Sequence, residues 1–301
     1  NRRHRAVFGA VIVLSANIGG ALTVIGDPNG LLLWNMGAVT PSHYSAWMIL
    51  PCLVAWAVPT ALMSRMLPER LDLESYTLPY RGDDTNLQLW QRILMFFFSI
   101  AGLWFIPIFH NITRLSPFVG ALCVLSLLWI VNEIFNRKLI DSGQITHQRP
   151  THLLQDSLIQ TMLYVMGIML IMGILIETGA GHFVGRQAML LLGDVWTIAI
   201  APFIAGMVSL VLDPFASAAT FFSLYDIQGT EYLMQNGEYW ISIAYATAVG
   251  STILGIGSLS GLAMFKMRST TIGWYVKYAS PKIFLGALLG LLVLIAEAVV
   301  F

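Results

Sequence analysis

The chain has 301 residues, 57% of them apolar and 11% charged, with 16 basic and 16 acidic side chains that cancel to a formal net charge of zero. Together with a mean hydropathy of +0.73, this composition lies far outside the soluble range and reads as a polytopic membrane protein. It offers no basic footprint for nucleic acid, and Cys52 and Cys123 sit in apolar runs without Cys or His at ligand spacing, so they point to neither a metal centre nor a disulfide framework.

A helix needs roughly 20 apolar residues to cross the hydrocarbon core. By that measure residues 6–35 form a glycine-rich, interrupted span, and 44–64, 93–110, 117–136 and 157–178 are plain spans. Residues 188–225 are apolar but cut by Asp213-Pro214, 240–265 is a second glycine-rich interrupted span, and 283–301 is plain. The mixed-charge stretches 65–92 and 137–152 read as surface loops. The chain starts at Asn1 with neither an initiator Met nor a signal-type region, so it is expected to be the later part of a longer protein.

Basic residues should gather in alternate loops. All but Arg114 and Arg186 of the 16 fall in 1–5, 65–92, 137–152 and 266–282, which assigns those loops to the cytoplasmic side. The pattern holds only if 188–225 leaves and returns on one face, so that stretch is expected to be a re-entrant helical hairpin tipped near Asp213-Pro214. Non-helical backbone at that depth is tolerated only against protein or a wet cavity.

The two glycine-rich spans align without a gap. "ANIGGALTVIGDPNGLLLW" from Ala16 lies over "TAVGSTILGIGSLSGLAMF" from Thr247, pairing Gly19 with Gly250, Gly26 with Gly257 and Gly30 with Gly261. By the charge pattern they run in opposite directions. The fold expected is therefore an all-α polytopic inverted-repeat transporter with broken helices, whose site lies near the bilayer midplane. Residues 1–43 would hold the broken helix of the first repeat, 44–152 plain spans with cytoplasmic loops, and 153–301 the second repeat.

Asp27 and Asp213 each precede a proline, which pushes a residue out of the right-handed helical region. Each is thus expected at a helix break beside free carbonyls, with Gly26, Gly30, Ala216 and Ser217 leaving room for close approach. Carboxylates with carbonyls and hydroxyls form a hard-oxygen set suited to sodium. Half-desolvated acids also hold protons, so the two cations would compete for one site, which is the minimum machinery of antiport.

At these residues the chain resembles the larger, later part of NhaD-type sodium/proton antiporters of the ion transporter superfamily. The likeness runs from "SANIGGALTVIGDPNGLLLW" through "YVMGIMLIMGILIETGAG" and "GMVSLVLDPFASAATFFSLYD" to "YATAVGSTILGIGSLSGLAMFKM". The resemblance implies cation- and proton-binding roles for Asn17, Asp27, Ser209, Asp213, Ser251 and Ser258, to which Thr23 and Asn29 are added from the same broken helix. It also implies a first hairpin with an Asp-Asn motif upstream of Asn1. Two motifs depart from the family. Asp27, Pro28, Asn29 and Gly30 stand where the family has Asp-Val-Thr-Thr, and Asp213, Pro214, Phe215 and Ala216 stand where it has Asp-Asn-Val-Pro.

The function expected is exchange of sodium or lithium for protons through Asp27 and Asp213, with no cofactor, in a bacterial plasma membrane. The partners expected are lipid, the transported ions and, as a candidate, a second copy of the chain. An anion or dicarboxylate carrier of the same superfamily is the alternative, against which stands the lack of Arg or Lys in any broken segment. A degenerate, non-transporting homologue is another, raised by the two motif departures. An intramembrane aspartyl protease would need Gly-x-Gly-Asp after its Tyr-Asp, whereas Gly26-Asp27 precedes Tyr225-Asp226 and Val24 replaces the first glycine. Each polar residue also has a plain reading: Asn17 as a bridge between helix ends, and Thr23, Ser209, Ser251 and Ser258 as hydroxyls bonding back to their own helix. Glu177 is a proton-pathway candidate, although Glu177 and Glu133 both sit where interfacial snorkelling accounts for them. His182 and His147 lie near interfaces, where pH sensing and ordinary solvated histidine are equally open readings, and Glu297 deep in the terminal span has no assigned role.

Overall fold

A computed structural model describes residues 2–67, 89–141, 150–193, 196–227, 231–267 and 270–300. Among the described residues every regular element is helical. The chain runs through α1 (Arg2–Ala21), α2 (Pro28–Met36), α3 (Pro41–Ser64), α4 (Leu89–Thr113), α5 (Pro117–Asp141), α6 (Pro150–Glu177) and α7 (Ala180–Leu192). A π-helical turn, Trp196–Ile200, leads into α8 (Ala201–Val208) and α9 (Pro214–Phe222). There follow α10 (Glu238–Leu254), α11 (Leu259–Lys266), the short α12 (Ile272–Trp274), a second π turn at Tyr275–Ala279, and α13 (Ser280–Val300).

Six of the described helical stretches are long and apolar enough to cross a bilayer, and the bent pair Thr161–Glu177 with Ala180–Leu192 would make a seventh. The chain is a multi-pass integral membrane protein. The 64° corner in that pair was not foreshadowed by the apolar pattern. It turns at Gly179, whose φ of 68° is left-handed, a conformation glycine adopts without steric cost.

The chain divides into two compact units, residues 1–69 with 167–301, and residues 70–166. In the second unit α4 packs against α5. Both present wide apolar surfaces to the outside, including Phe96, Phe97, Trp104, Leu122 and Ile130. In water such faces would be a liability; against lipid tails they are the favoured surface.

The first unit is built around α10, whose residues Tyr239 to Ile253 are buried without interruption. It packs against α1, α8, α9 and α13. A helix apolar and buried all round belongs at the centre of a bundle. Its aromatic end is fixed by directed bonds: Tyr239 Oη donates to the Phe221 carbonyl at 2.7 Å and Trp240 Nε1 to the Leu233 carbonyl at 3.2 Å. Tyr275 Oη donates to the Thr252 carbonyl at 2.7 Å near the other end. The remaining large interface joins α3 to α13.

Candidate cation site at the helix breaks

Three of the interrupted elements start their second half in the same way. Asp27 is the N-cap of α2, with an extended backbone (φ −134°, ψ 142°) and Pro28 as the first helical residue. Asp213 is the N-cap of α9 (φ −59°, ψ 140°), again followed by proline. Ser258 is the N-cap of α11 (φ −111°, ψ 142°). The proline explains the first two: it excludes the preceding residue from helix and supplies a preset φ for the first turn.

The two carboxylates are nevertheless used differently. Asp213 Oδ2 accepts from the Phe215 amide at 2.9 Å, while at Asp27 the Asn29 amide faces the carboxyl without closing a full cap bond. Both residues are half-buried. Since α2 packs against α9, the two acids head adjoining half-helices. The positive ends of two helix dipoles thus lie beside two carboxylates.

The first turns of α2 and α11 also make a similar close approach. A Cβ on Gly30 would stand 2.6 Å from the Val24 carbonyl oxygen, and one on Gly261 would stand 2.8 Å from the Gly255 Cα. Gly30 pairs with Gly261 and Val24 with Gly255 in the alignment of the two spans. In each case the first turn of a half-helix presses on the backbone six positions earlier, and only glycine permits that approach.

Around these breaks runs a network of buried polar groups. Asn29, 1% exposed, donates from Nδ2 to Thr247 Oγ1 at 3.1 Å. Thr247 Oγ1 donates in turn to the Ile243 carbonyl at 2.8 Å, and Ser209 Oγ donates to the Thr247 carbonyl at 2.7 Å. On the other broken helix Ser260 Oγ donates to Asn17 Oδ1 at 2.9 Å and lies 3.3 Å from Ser258 Oγ. The Gly261 amide donates to Ser258 Oγ at 3.2 Å. Two oxygens here are buried without a partner among the described residues, Asn29 Oδ1 and Ser217 Oγ, as is the amide nitrogen Asn17 Nδ2. Leaving such groups unpaired costs about 1–3 kcal/mol each, the kind of deficit that a ligand or water repays.

The structure therefore brings Asp27, Asn29, Asp213, Ser209, Asn17 and Ser258 onto touching elements. Of the others, Ser251 is buried on α10 and Thr23 lies in the break before α2, but neither side chain joins the hydrogen-bonded network. Ser251 Oγ bonds back to the Ala248 carbonyl at 2.8 Å within its own helix, Thr23 is exposed in the first break, and Glu177 is exposed at the end of α6. His182 Nε2 lies 3.7 Å from Asp226 Oδ1, apart from this network, and His147 lies outside the described residues. Glu133 is exposed on α5. Nothing in the structure explains Glu297, whose Oε2 is buried without a partner among the described residues.

Two members were missed from the sequence. Ser260 had a signal, because it pairs with Asn29 in the alignment, polar against polar. Thr247 had none, since it pairs with Ala16 and looks like any hydroxyl in a membrane helix. Tyr44 is also new: it is fully buried, and its hydroxyl has no partner among the described residues. Among the described residues no three or more of His, Cys, Asp and Glu cluster as metal ligands. The side chains gathered here offer carboxylate, amide and hydroxyl oxygens, the donors that suit a hard cation.

Sequence comparison supplies relatives for this arrangement. The chain is 28% identical over 298 residues to sodium/proton antiporter 2 of Arabidopsis thaliana, matching 97% of this chain and 67% of that protein. It is 29% identical over 295 residues to sodium/proton antiporter 1 of the same plant, over 96% of this chain and 48% of that protein. The sodium/proton antiporter NhaD of Alkalimonas amylolytica is 25% identical, over 91% of this chain and 57% of that protein. The chain is a relative of NhaD-type sodium/proton antiporters. These relatives are transporters and not enzymes, which removes the protease reading. The chain spans between about half and two thirds of the length of these curated relatives. No family profile matches the sequence, and no solved structure matches it.

Proposed function

We propose that the chain forms the larger part of a secondary transporter that exchanges sodium or lithium for protons, with Asp27 and Asp213 as the shared cation and proton site near the bilayer midplane. The observation that carries this reading is the packing of two half-helices, α2 and α9, each headed by an aspartate. The unpaired Asn29 Oδ1 beside them adds a neutral oxygen ligand. In this reading sodium displaces protons from the carboxylates on one side and protons displace sodium on the other. The broken helices rock as inverted repeats around the fixed site. The similar close approaches at Gly30 and Gly261 and the alternation of basic loops support the inverted arrangement. The interruption at residues 209–213 between α8 and α9 supports a re-entrant hairpin. The bacterial NhaD relatives support a bacterial plasma membrane as its location, and the Arabidopsis relatives support a plant membrane to a similar degree.

The test is dissipation of a pH gradient in everted membrane vesicles carrying the full chain, with sodium, lithium and potassium compared. Sodium- or lithium-dependent dissipation is the expected result. No response to any cation, combined with uptake of a dicarboxylate, would replace antiport by anion carriage. No response and no uptake would identify a homologue whose two altered motifs have cost it transport.

A further inference from the structure

Thr247 lies in the middle of α10, where nothing in its own neighbourhood of sequence distinguishes it, yet two other interrupted elements are bonded to it. Its hydroxyl accepts from Asn29, two residues after Asp27 in the first turn of α2. Its carbonyl accepts from Ser209, the C-cap of α8 and four residues before Asp213. The same hydroxyl donates back to the Ile243 carbonyl, which fixes its rotamer and leaves its lone pair toward Asn29. Thr247, Asn29 and Ser209 are all buried, at 0%, 1% and 0% exposure, so water does not compete for these bonds. The backbone segments carrying the two carboxylates are therefore each tied, by one buried hydrogen bond, to one residue of the central helix.

We propose that Thr247 is the positioning residue of the cation site: it sets the separation of Asp27 and Asp213 by anchoring the start of α2 through its hydroxyl and the end of α8 through its carbonyl. This rests on the two aspartates being the transported-cation site. It does not touch the cation. Its effect passes through geometry, and geometry governs a site of two like charges closely, since a small change in their separation alters both cation coordination and the proton affinity of the pair. The two anchors are separable by mutation. Thr247→Val removes the hydroxyl at nearly constant volume and keeps the carbonyl bond to Ser209. Thr247→Ser keeps both.

The experiment measures cation-dependent pH-gradient dissipation against sodium concentration and pH in everted vesicles with the full chain, for the parent, Thr247→Val and Thr247→Ser. Thermal unfolding of the purified proteins in detergent runs alongside. The expected outcome is that Thr247→Val raises the sodium concentration for half-maximal exchange by roughly tenfold and displaces the pH profile, with maximal rate changed much less, while Thr247→Ser behaves as the parent. A fall in maximal rate matched only by loss of folded protein, with half-saturation and pH profile unmoved, would make Thr247 structural and overturn the proposal. So would Thr247→Ser being as impaired as Thr247→Val. A parent without sodium or lithium response overturns the antiport reading itself, and this proposal with it; a responsive parent with an unaltered Thr247→Val sinks only the role of Thr247.

Discussion

Asn29 and Ser260 occupy equivalent positions in the first turns of α2 and α11, and each donates to the first half of the other broken helix: Asn29 to Thr247 on α10, Ser260 to Asn17 on α1. The two interrupted helices are thereby bonded crosswise, at 3.1 Å and 2.9 Å, with the paired glycines Gly30 and Gly261 one residue further on. Neither bond joins residues of one helix, so each break is braced by its counterpart in addition to its local proline or serine cap.

The two acids should separate function from stability. Asp27→Asn and Asp213→Asn keep side-chain volume and remove the charge, and each is expected to abolish sodium-dependent gradient dissipation in vesicles at unchanged expression. Exchange at the parent rate in either variant would show that its carboxylate takes no part.

Truncation to alanine should distinguish them in a second way. Asp213 receives the Phe215 amide as a helix cap, so Asp213→Ala is expected to lose about 1 kcal/mol of stability. Asp27 closes no full cap bond, although the Asn29 amide faces it, and Asp27→Ala is expected to lose less stability than Asp213→Ala. Thermal unfolding in detergent checks the order, and equal losses would contradict it.

Gly30→Ala and Gly261→Ala push a methyl group into backbone that cannot retreat, at 2.6 Å from Val24 O and 2.8 Å from Gly255 Cα. Each is expected to cost about 1–3 kcal/mol, as overpacking does. Gly19→Ala is the control. A Cβ there meets nothing within 4 Å, so that substitution should be neutral or stabilise by up to about 1 kcal/mol. Similar melting temperatures for all three variants would refute the close crossing.

A double-mutant cycle over Ser260→Ala and Asn17→Ala should return a coupling near 0.6 kcal/mol, the usual worth of one side-chain hydrogen bond between membrane helices. The same cycle over Ser251→Ala and Asn17→Ala should return zero, because Ser251 bonds only to Ala248. Additive effects in the first pair would mean that the bond does not hold in solution.

Composition alone disclosed the membrane class, and the prolines after Asp27 and Asp213 disclosed both breaks, because proline acts on its immediate neighbour and needs no tertiary context. The glycine pairing disclosed the close backbone approach at Gly30 and Gly261. What the sequence concealed was partnership across distance. Thr247 became visible only when Asn29 and Ser209 were seen to converge on it, since any hydroxyl in a membrane helix can bond to its own backbone. The corner at Gly179 was hidden for a different reason: a run of apolar residues has the same hydropathy whether the helix is straight or bent.

The crosswise bonds join residues 218 and 243 positions apart. During synthesis the ribosome must therefore deliver Asn17, Asp27 and Asn29 to the bilayer long before the segment that will pair with two of them has been translated. Until then those bonds are unmade. The first broken helix is therefore expected to complete its bonds only after Thr247 and Ser260 have been made, and nascent chains halted before Thr247 should leave it accessible to aqueous labelling reagents.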